Sequence, residues 1–158
     1  MANKIAYPEV YLDMAHTYAK CMSGCTKVVV GSAIVNAEGL VIAFGANAAI
    51  PDLCHSKGCL RIEKYGNNAK SHRLPSDCRA IHSEVNAICH LEESAKGCTI
   101  FVTRYPCEAC ARAIVAAGID TVYYGRQQEI SEQTEEIFRS AGVNVCHLSS
   151  WDAEDATN

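Results

Sequence analysis

The sequence predicts an α/β protein: a mixed five-stranded sheet with helices on both faces, in the order α-β-β-α-β-α-β-α-β. Three observations carry this. Apolar residues recur at helical spacing in four segments. Short Val- and Ile-rich runs lie between them. An Ala-Gly step followed by Ile or Val joins a helical run to a strand-like run twice, at Ala117-Gly118-Ile119 and Ala141-Gly142-Val143. A chain of 158 residues is most simply one domain, 1–158, large enough to bury a core. The alternation predicts a hairpin first and parallel strands later.

Tyr7 to about Cys21 places Tyr11, Met14, Ala15 and Tyr18 on one helical stripe, and Ser23-Gly24 ends it. Lys27 to Val35 reads as a strand, Asn36-Ala37-Glu38-Gly39 as a turn, and Leu40 to Gly45 as the returning strand. Ala46 to about Arg79 keeps no period and reads as a long loop, the kind that is functional or pinned by something such as a metal. From Ile81 the period is helical again, with Ile81, Val85, Ile88 and Leu91 on one face and Gly97 as the stop. Cys98 to Thr103 is a buried strand. Pro106 suits a first helical turn, so Cys107 to Ala117 is a helix. Ile119 to Tyr124 is a strand, Ser131 to Ala141 a helix with a good N-cap, and Val143 to Leu148 the last strand. Asp152 to Asn158 is polar and expected to fray.

Composition excludes several classes. No apolar run reaches the roughly 18 residues a membrane helix needs. Met1-Ala2-Asn3-Lys4 leads into a segment carrying Glu9, Asp13 and His16, which is not a secretory signal. A net charge of -4 argues against binding polymeric nucleic acid, where phosphate neutralisation dominates affinity. A small anionic substrate stays open. The ten cysteines, spaced as Cys21/Cys25, Cys54/Cys59 and Cys107/Cys110, fit metal binding in a reduced cytoplasmic protein better than disulfides.

Two stretches carry chemistry. Ile81-His82-Ser83-Glu84-Val85-Asn86-Ala87-Ile88 puts His-x-Glu at the start of one helix. Tyr105-Pro106-Cys107-Glu108-Ala109-Cys110-Ala111 puts Pro-Cys-x-x-Cys at the start of another. Cys107 and Cys110 lie three apart, hence on one helical face, where the dipole and a cation both favour thiolates. With His82 they give three zinc ligands and leave a position for water, as in catalytic rather than structural zinc sites. Zinc lowers the pKa of that water to about 7, giving a hydroxide nucleophile. Glu84 stands close enough to shuttle its proton without being a ligand. Each motif alone is a surface pair or a zinc knuckle as readily as a catalytic site. Together, at two helix starts separated by one strand, they match the zinc deaminase pattern.

With these residues on the page the chain resembles the zinc-dependent cytidine/deoxycytidylate deaminase superfamily, and within it the deoxycytidylate (dCMP) deaminase branch. Val30-Gly31-Ser32-Ala33-Ile34-Val35, Gly45-Ala46-Asn47, Gly58-Cys59-Leu60, the two motif stretches with Arg112, and Ala117-Gly118-Ile119 carry the likeness, which covers about residues 8 to 148. The resemblance implies a three-layer αβα cytidine-deaminase-like fold and hydrolysis of dCMP to dUMP and ammonia, a step that supplies dTMP synthesis, with attack at C4 of the cytosine. It implies homo-oligomers, often hexamers, with dCTP activation and dTTP inhibition in many members. It makes His82, Cys107 and Cys110 the ligands of the catalytic zinc, and Glu84 the proton shuttle. Asn47 matches a nucleoside contact. Lys27 matches a residue near the 5′-phosphate, and Tyr124 and Arg126 fall near other phosphate contacts. Some members hold a second, structural zinc, and Cys25, Cys54 and His72, with Cys59 or Cys78, fall at comparable positions.

For Lys27 and Arg126 a solvated charge, for Asn47 a turn residue, and for the extra cysteines buried free thiols are the plainer readings. Two departures stand out. The family's Gly-Tyr-Asn-Gly is here Gly45-Ala46-Asn47-Ala48, in a segment tied to nucleotide regulation, which weakens the expectation of dCTP activation. The link from Glu84 to Pro106 is somewhat short, which suggests a trimmed turn. Two other functions remain open: a deaminase of dCTP, cytidine, guanine or tRNA adenosine, and a zinc-stabilised interaction module without catalysis. Glu84 discriminates against the latter, because a structural zinc has no use for a free carboxylate.

Overall fold

The structure is a computed structural model and describes residues 5–25, 27–50, 53–54, 58–66, 78–126 and 131–151. Its elements are α1 (Pro8–Met22), β1 (Gly31–Val35), β2 (Val41–Ala46), α2 (Leu60–Tyr65), α3 (Ser83–Cys89), β3 (Thr99–Arg104), α4 (Glu108–Ala117), β4 (Thr121–Arg126), α5 (Glu132–Ala141) and β5 (Asn144–His147). They build one five-stranded sheet in the order β2-β1-β3-β4-β5. Strand β1 is antiparallel to both β2 and β3, while β3, β4 and β5 run parallel. Therefore β2 is parallel to β3, and every strand-helix-strand unit after the hairpin steps the same way across the sheet. Right-handed crossovers stepping one way put their helices on one face.

The core follows that logic. Ala87 of α3, Ala111 and Ile114 of α4 and Phe138 of α5 pack on Ile34, Ile100, Val102 and Val122. On the opposite face, Leu12 and Ala15 of α1 pack with Ala33, Val35, Phe101 and Trp151. The expected three layers are thus α1 with Trp151, the sheet, and α3 to α5. Trp151 is clamped there by an Nε1 hydrogen bond to Asp13 Oδ1 at 2.8 Å and by edge-on contact with His16.

Local details follow the sequence closely in places. Asn36 closes the hairpin, its Oδ1 accepting from the Glu38 and Leu40 amides. Ser131 caps α5, accepting from the Thr134 amide, and α4 and α5 end on left-handed Gly118 and Gly142.

Three expectations need correction. Strand β1 begins at Gly31, not Lys27, because the Asn47 side chain rather than a neighbouring strand takes up Val28 and Val30. Helix α3 excludes Ile81 and stops at Cys89, short of Gly97. Ile81 instead forms an isolated bridge with Ala48, and a tight turn at His90 lets Leu91, Ala95 and Cys98 turn back onto the core. The stretch from Ala46 to Arg79 is not wholly loop, since α2 forms within it. His72 and the tail Asp152–Asn158 lie outside the described residues. No described helix is long and apolar enough to cross a membrane.

Candidate active site

Two helix starts meet above the sheet. The mutual hydrogen bonds of Ile81 and Ala48, each 2.9 Å, lead the chain from the end of β2 into α3. His82 follows as the N-cap residue of α3, with an extended backbone. On the other side, Tyr105 donates its amide to the Arg126 carbonyl at 3.0 Å, and buried Pro106 turns the chain so that Cys107 is the N-cap of α4. Cys110, in the first turn of α4, is 1 % exposed.

His82 Nδ1 stands 3.4 Å from both Cys107 Sγ and Cys110 Sγ. The three donor atoms all lie within 4.8 Å of one another. For a tetrahedral zinc with bonds of about 2.0 Å to nitrogen and 2.3 Å to sulfur, adjacent N and S ligands should be about 3.5 Å apart. The spacing fits the ion without rearrangement. Among the described residues no other group of three potential ligands is so close.

Protons report the same crowding. A hydrogen bond from Cys110, helped by His82, holds the Cys107 thiol well below its ordinary range against the cost of burial. Contact with Cys107, and then with Cys78, pushes His82 up to about 10. An imidazolium beside a thiolate is a charge arrangement that one divalent cation replaces, with release of protons. Burial raises the Glu84 carboxyl above its usual range, while the His82 charge and the Ser83 hydroxyl work against that rise. Glu84 is 4 % exposed and forms no part of the three-donor group.

The other predicted residues are placed as follows. Asn47 is buried, and its side chain is a knot: Oδ1 accepts from Ser23 Oγ at 2.6 Å and from the Val30 amide at 2.9 Å, and Nδ2 donates to the Val28 carbonyl at 2.7 Å. It thereby ties down the segment that carries Lys27. Tyr124 stacks on His147 at 4.6 Å and meets Tyr105 edge-on at 4.8 Å, so its ring belongs to the packing of β4. Arg126 ends β4, beside Arg104 of β3. Cys25, Cys54, Cys59 and Cys78 line one pocket, and Arg79 gathers it by donating to the Leu53 and Gly58 carbonyls.

A family model described as "Cytidine and deoxycytidylate deaminase zinc-binding region" matches residues 7–126. The chain belongs to that family. This zinc-dependent deaminase is 33 % identical over 147 residues to ComE operon protein 2 of Bacillus subtilis (strain 168), covering 90 % of this chain and 71 % of that one. It is 31 % identical over 144 residues to deoxycytidylate deaminase of Mus musculus, covering 88 % and 78 %. A crystal structure of dCMP deaminase from the cyanophage S-TIM5, in complex with dCMP and dUMP, superposes with a TM-score of 0.66 at 26 % identity, covering 89 % of this deaminase and 95 % of the phage chain. The αβα fold expected from the sequence is the fold of these relatives. Zinc is the family's metal, and the donor set of His82, Cys107 and Cys110 suits it.

The sequence reading placed Cys78 with a second zinc rather than at this site, and it missed a pair of serines altogether. Cys78 lies against His82. Ser83 and Ser32 form a buried pair behind Glu84. The only sequence signal for that pair is a serine within His-x-Glu, which means nothing until the register of β1 is known.

Proposed function

We propose that this deaminase hydrolyses dCMP to dUMP and ammonia, with His82, Cys107 and Cys110 holding the catalytic zinc and Glu84 moving the protons. The observation that carries this is the carboxyl of Glu84, buried beside a three-ligand set and outside it. Zinc held by these three residues would supply a water made acidic enough to lose a proton near neutral pH. Glu84 takes a proton from that water as the C4–O bond forms. It gives that proton to the ring nitrogen, then takes the second proton from the hydroxyl now on C4 and gives it to the departing amine. The C4–N bond breaks and ammonia leaves, so Glu84 ends as it began.

The substrate is read from the relatives, among which are deoxycytidylate deaminases and the phage enzyme holding dCMP and dUMP. On this reading Asn47 offers its remaining Nδ2 hydrogen to the nucleoside, and Lys27 and Arg126 face the 5′-phosphate. The Tyr124 ring is taken up by packing, which leaves its hydroxyl for the phosphate. Ammonia release from dCMP, dCTP, cytidine, guanine and tRNA separates the substrates. Fast turnover of dCMP is expected. Inert dCMP beside an active alternative would overturn the substrate assignment.

We extend the reading to assembly, location and a second metal. Tyr7, at the N-cap of α1, and Val10, Met14 and Cys21 within it recur at heptad-like spacing, with Tyr7 74 % exposed and Val10 51 %. Such a stripe favours burial against another copy, giving a homo-oligomer such as a hexamer. Sedimentation of a monomer at micromolar concentration would refute it. None of the ten cysteines is bridged, which suits a reducing cytoplasm. Cys25, Cys54, Cys59 and Cys78 surround one pocket, and we assign a structural zinc to a ligand set drawn from them and His72.

A further inference from the structure

Behind Glu84 runs a chain of two hydroxyls. Ser83 Oγ donates to Glu84 Oε2 at 3.0 Å. Ser32 Oγ and Ser83 Oγ are 2.7 Å apart. Both serines are fully buried. A hydroxyl has one hydrogen. Ser83 spends its hydrogen on Glu84, so Ser32 must be the donor in the pair of serines. The chain therefore has a direction, from Ser32 to Ser83 to Glu84 Oε2.

The fold builds this contact deliberately. Ser32 of β1 faces Gly45 of β2 in register. A Cβ on Gly45 would lie 2.1 Å from the Ser83 carbonyl oxygen and 2.4 Å from the Ala87 amide nitrogen. The bare backbone of Gly45 lets the first turn of α3 settle directly on the sheet, which brings Ser83 over Ser32. Asn86, one turn on, pins the same helix by accepting from the Ala46 amide at 3.1 Å. The carboxyl also meets the Cys110 thiol, on the ligand side of the site.

We propose that Ser83, backed by Ser32, is a positioning residue for the deamination: its hydroxyl holds Glu84 Oε2, and so fixes the carboxyl with Oε1 as its working oxygen. With Oε2 held, Oε1 is the oxygen presented to water, ring nitrogen and leaving amine in turn. The proposal rests on the role given to Glu84 above and adds which of its oxygens works and what holds it.

Ser83→Ala removes the hydroxyl, leaves the volume nearly unchanged and suits a helix. We expect kcat for dCMP to fall on the order of tenfold with KM changed by less than about twofold, the signature of an interaction that matters at the transition state. Zinc content should stay at the wild-type value. Ser32→Ala should lose less, and the double variant should be no slower than Ser83→Ala alone, because Ser32 acts only through Ser83. If Ser32→Ala folds poorly, Ser32→Cys, a weaker donor of similar size, takes its place. Multiplying losses, or a rise in KM at constant kcat, would overturn the proposal. A crystal structure of Ser83→Ala gives a reading free of activity. The Glu84 carboxylate should rotate or spread over two rotamers, and an unmoved carboxylate overturns the idea. Wild-type protein that releases ammonia from no compound in the panel would end the Glu84 reading, while those crystals would still decide whether the hydroxyl chain holds the carboxylate.

Discussion

At the scale of single residues, the division of labour between His82 and Glu84 follows from two positions on one helix turn. His82 is the N-cap, with its backbone still extended, and Nδ1 points across to the two sulfurs. Glu84 is inside the helix and buried, with one oxygen held by Ser83. Glu84→Ala should therefore keep both metal and fold. Its turnover should drop by roughly 10²–10⁴-fold, the usual worth of a positioned acid-base group. Zinc analysis beside ammonia release checks this, and a variant that retains wild-type rate removes Glu84 from the mechanism. The candidate metal group was legible in the sequence because ligand chemistry depends on residue type and short spacing. His-x-Glu and Cys-x-x-Cys fix both within a few residues. The role of Asn47 was less legible. Its amide is committed to Ser23, Val28 and Val30, contacts set by how α1 returns to the sheet rather than by any local pattern.

At the scale of elements, α3 matters more than its seven residues suggest. It carries His82 at its cap, Glu84 in its first turn, and its own docking groups. Gly45→Ala would insert a methyl group against helix backbone, which cannot rotate away. Overpacking of this kind typically costs about 1–3 kcal/mol, and here α3 must lift from β2 to relieve it. Stability, zinc affinity and turnover should fall together in this variant, whereas Glu84→Ala loses turnover alone. Urea denaturation with metal analysis reads all of this. An unchanged midpoint with full activity would show that α3 does not depend on that close approach. The sequence predicted a helix here but drew it too long, since Ile81 and Leu91 share its period. Ile81 is claimed by the bridge to Ala48, and Leu91 reaches the core from the turn that follows. Helix α2 went unseen for the opposite reason: six residues with no buried side chain leave no period to read.

At the scale of the whole molecule, the hairpin followed by parallel strands was accessible because one rule, handed crossovers between strands, links many local patterns. The pairing of Ser32 with Ser83 was not, as 51 residues separate them and only the folded register joins them. Zinc acts at this same long range. Held by His82, Cys107 and Cys110 it would tie the cap of α3 to the cap of α4, and in the cysteine-lined pocket it would tie Cys25, after α1, to Cys54 and Cys59 before α2 and to Cys78 before α3. A ligand bound only by the folded chain adds stability as its concentration exceeds its dissociation constant. Metal removal should therefore lower the thermal midpoint, and do so in two stages if both sites are filled. Native protein should carry two zinc per chain. Cys54→Ser should carry one and keep deaminating dCMP, because the catalytic ligands are untouched while the pocket has lost one of its cysteines. One zinc per wild-type chain would confine the metal to His82, Cys107 and Cys110. No zinc at all would remove the basis of the chemistry, because without a polarised water Glu84 has no proton to move.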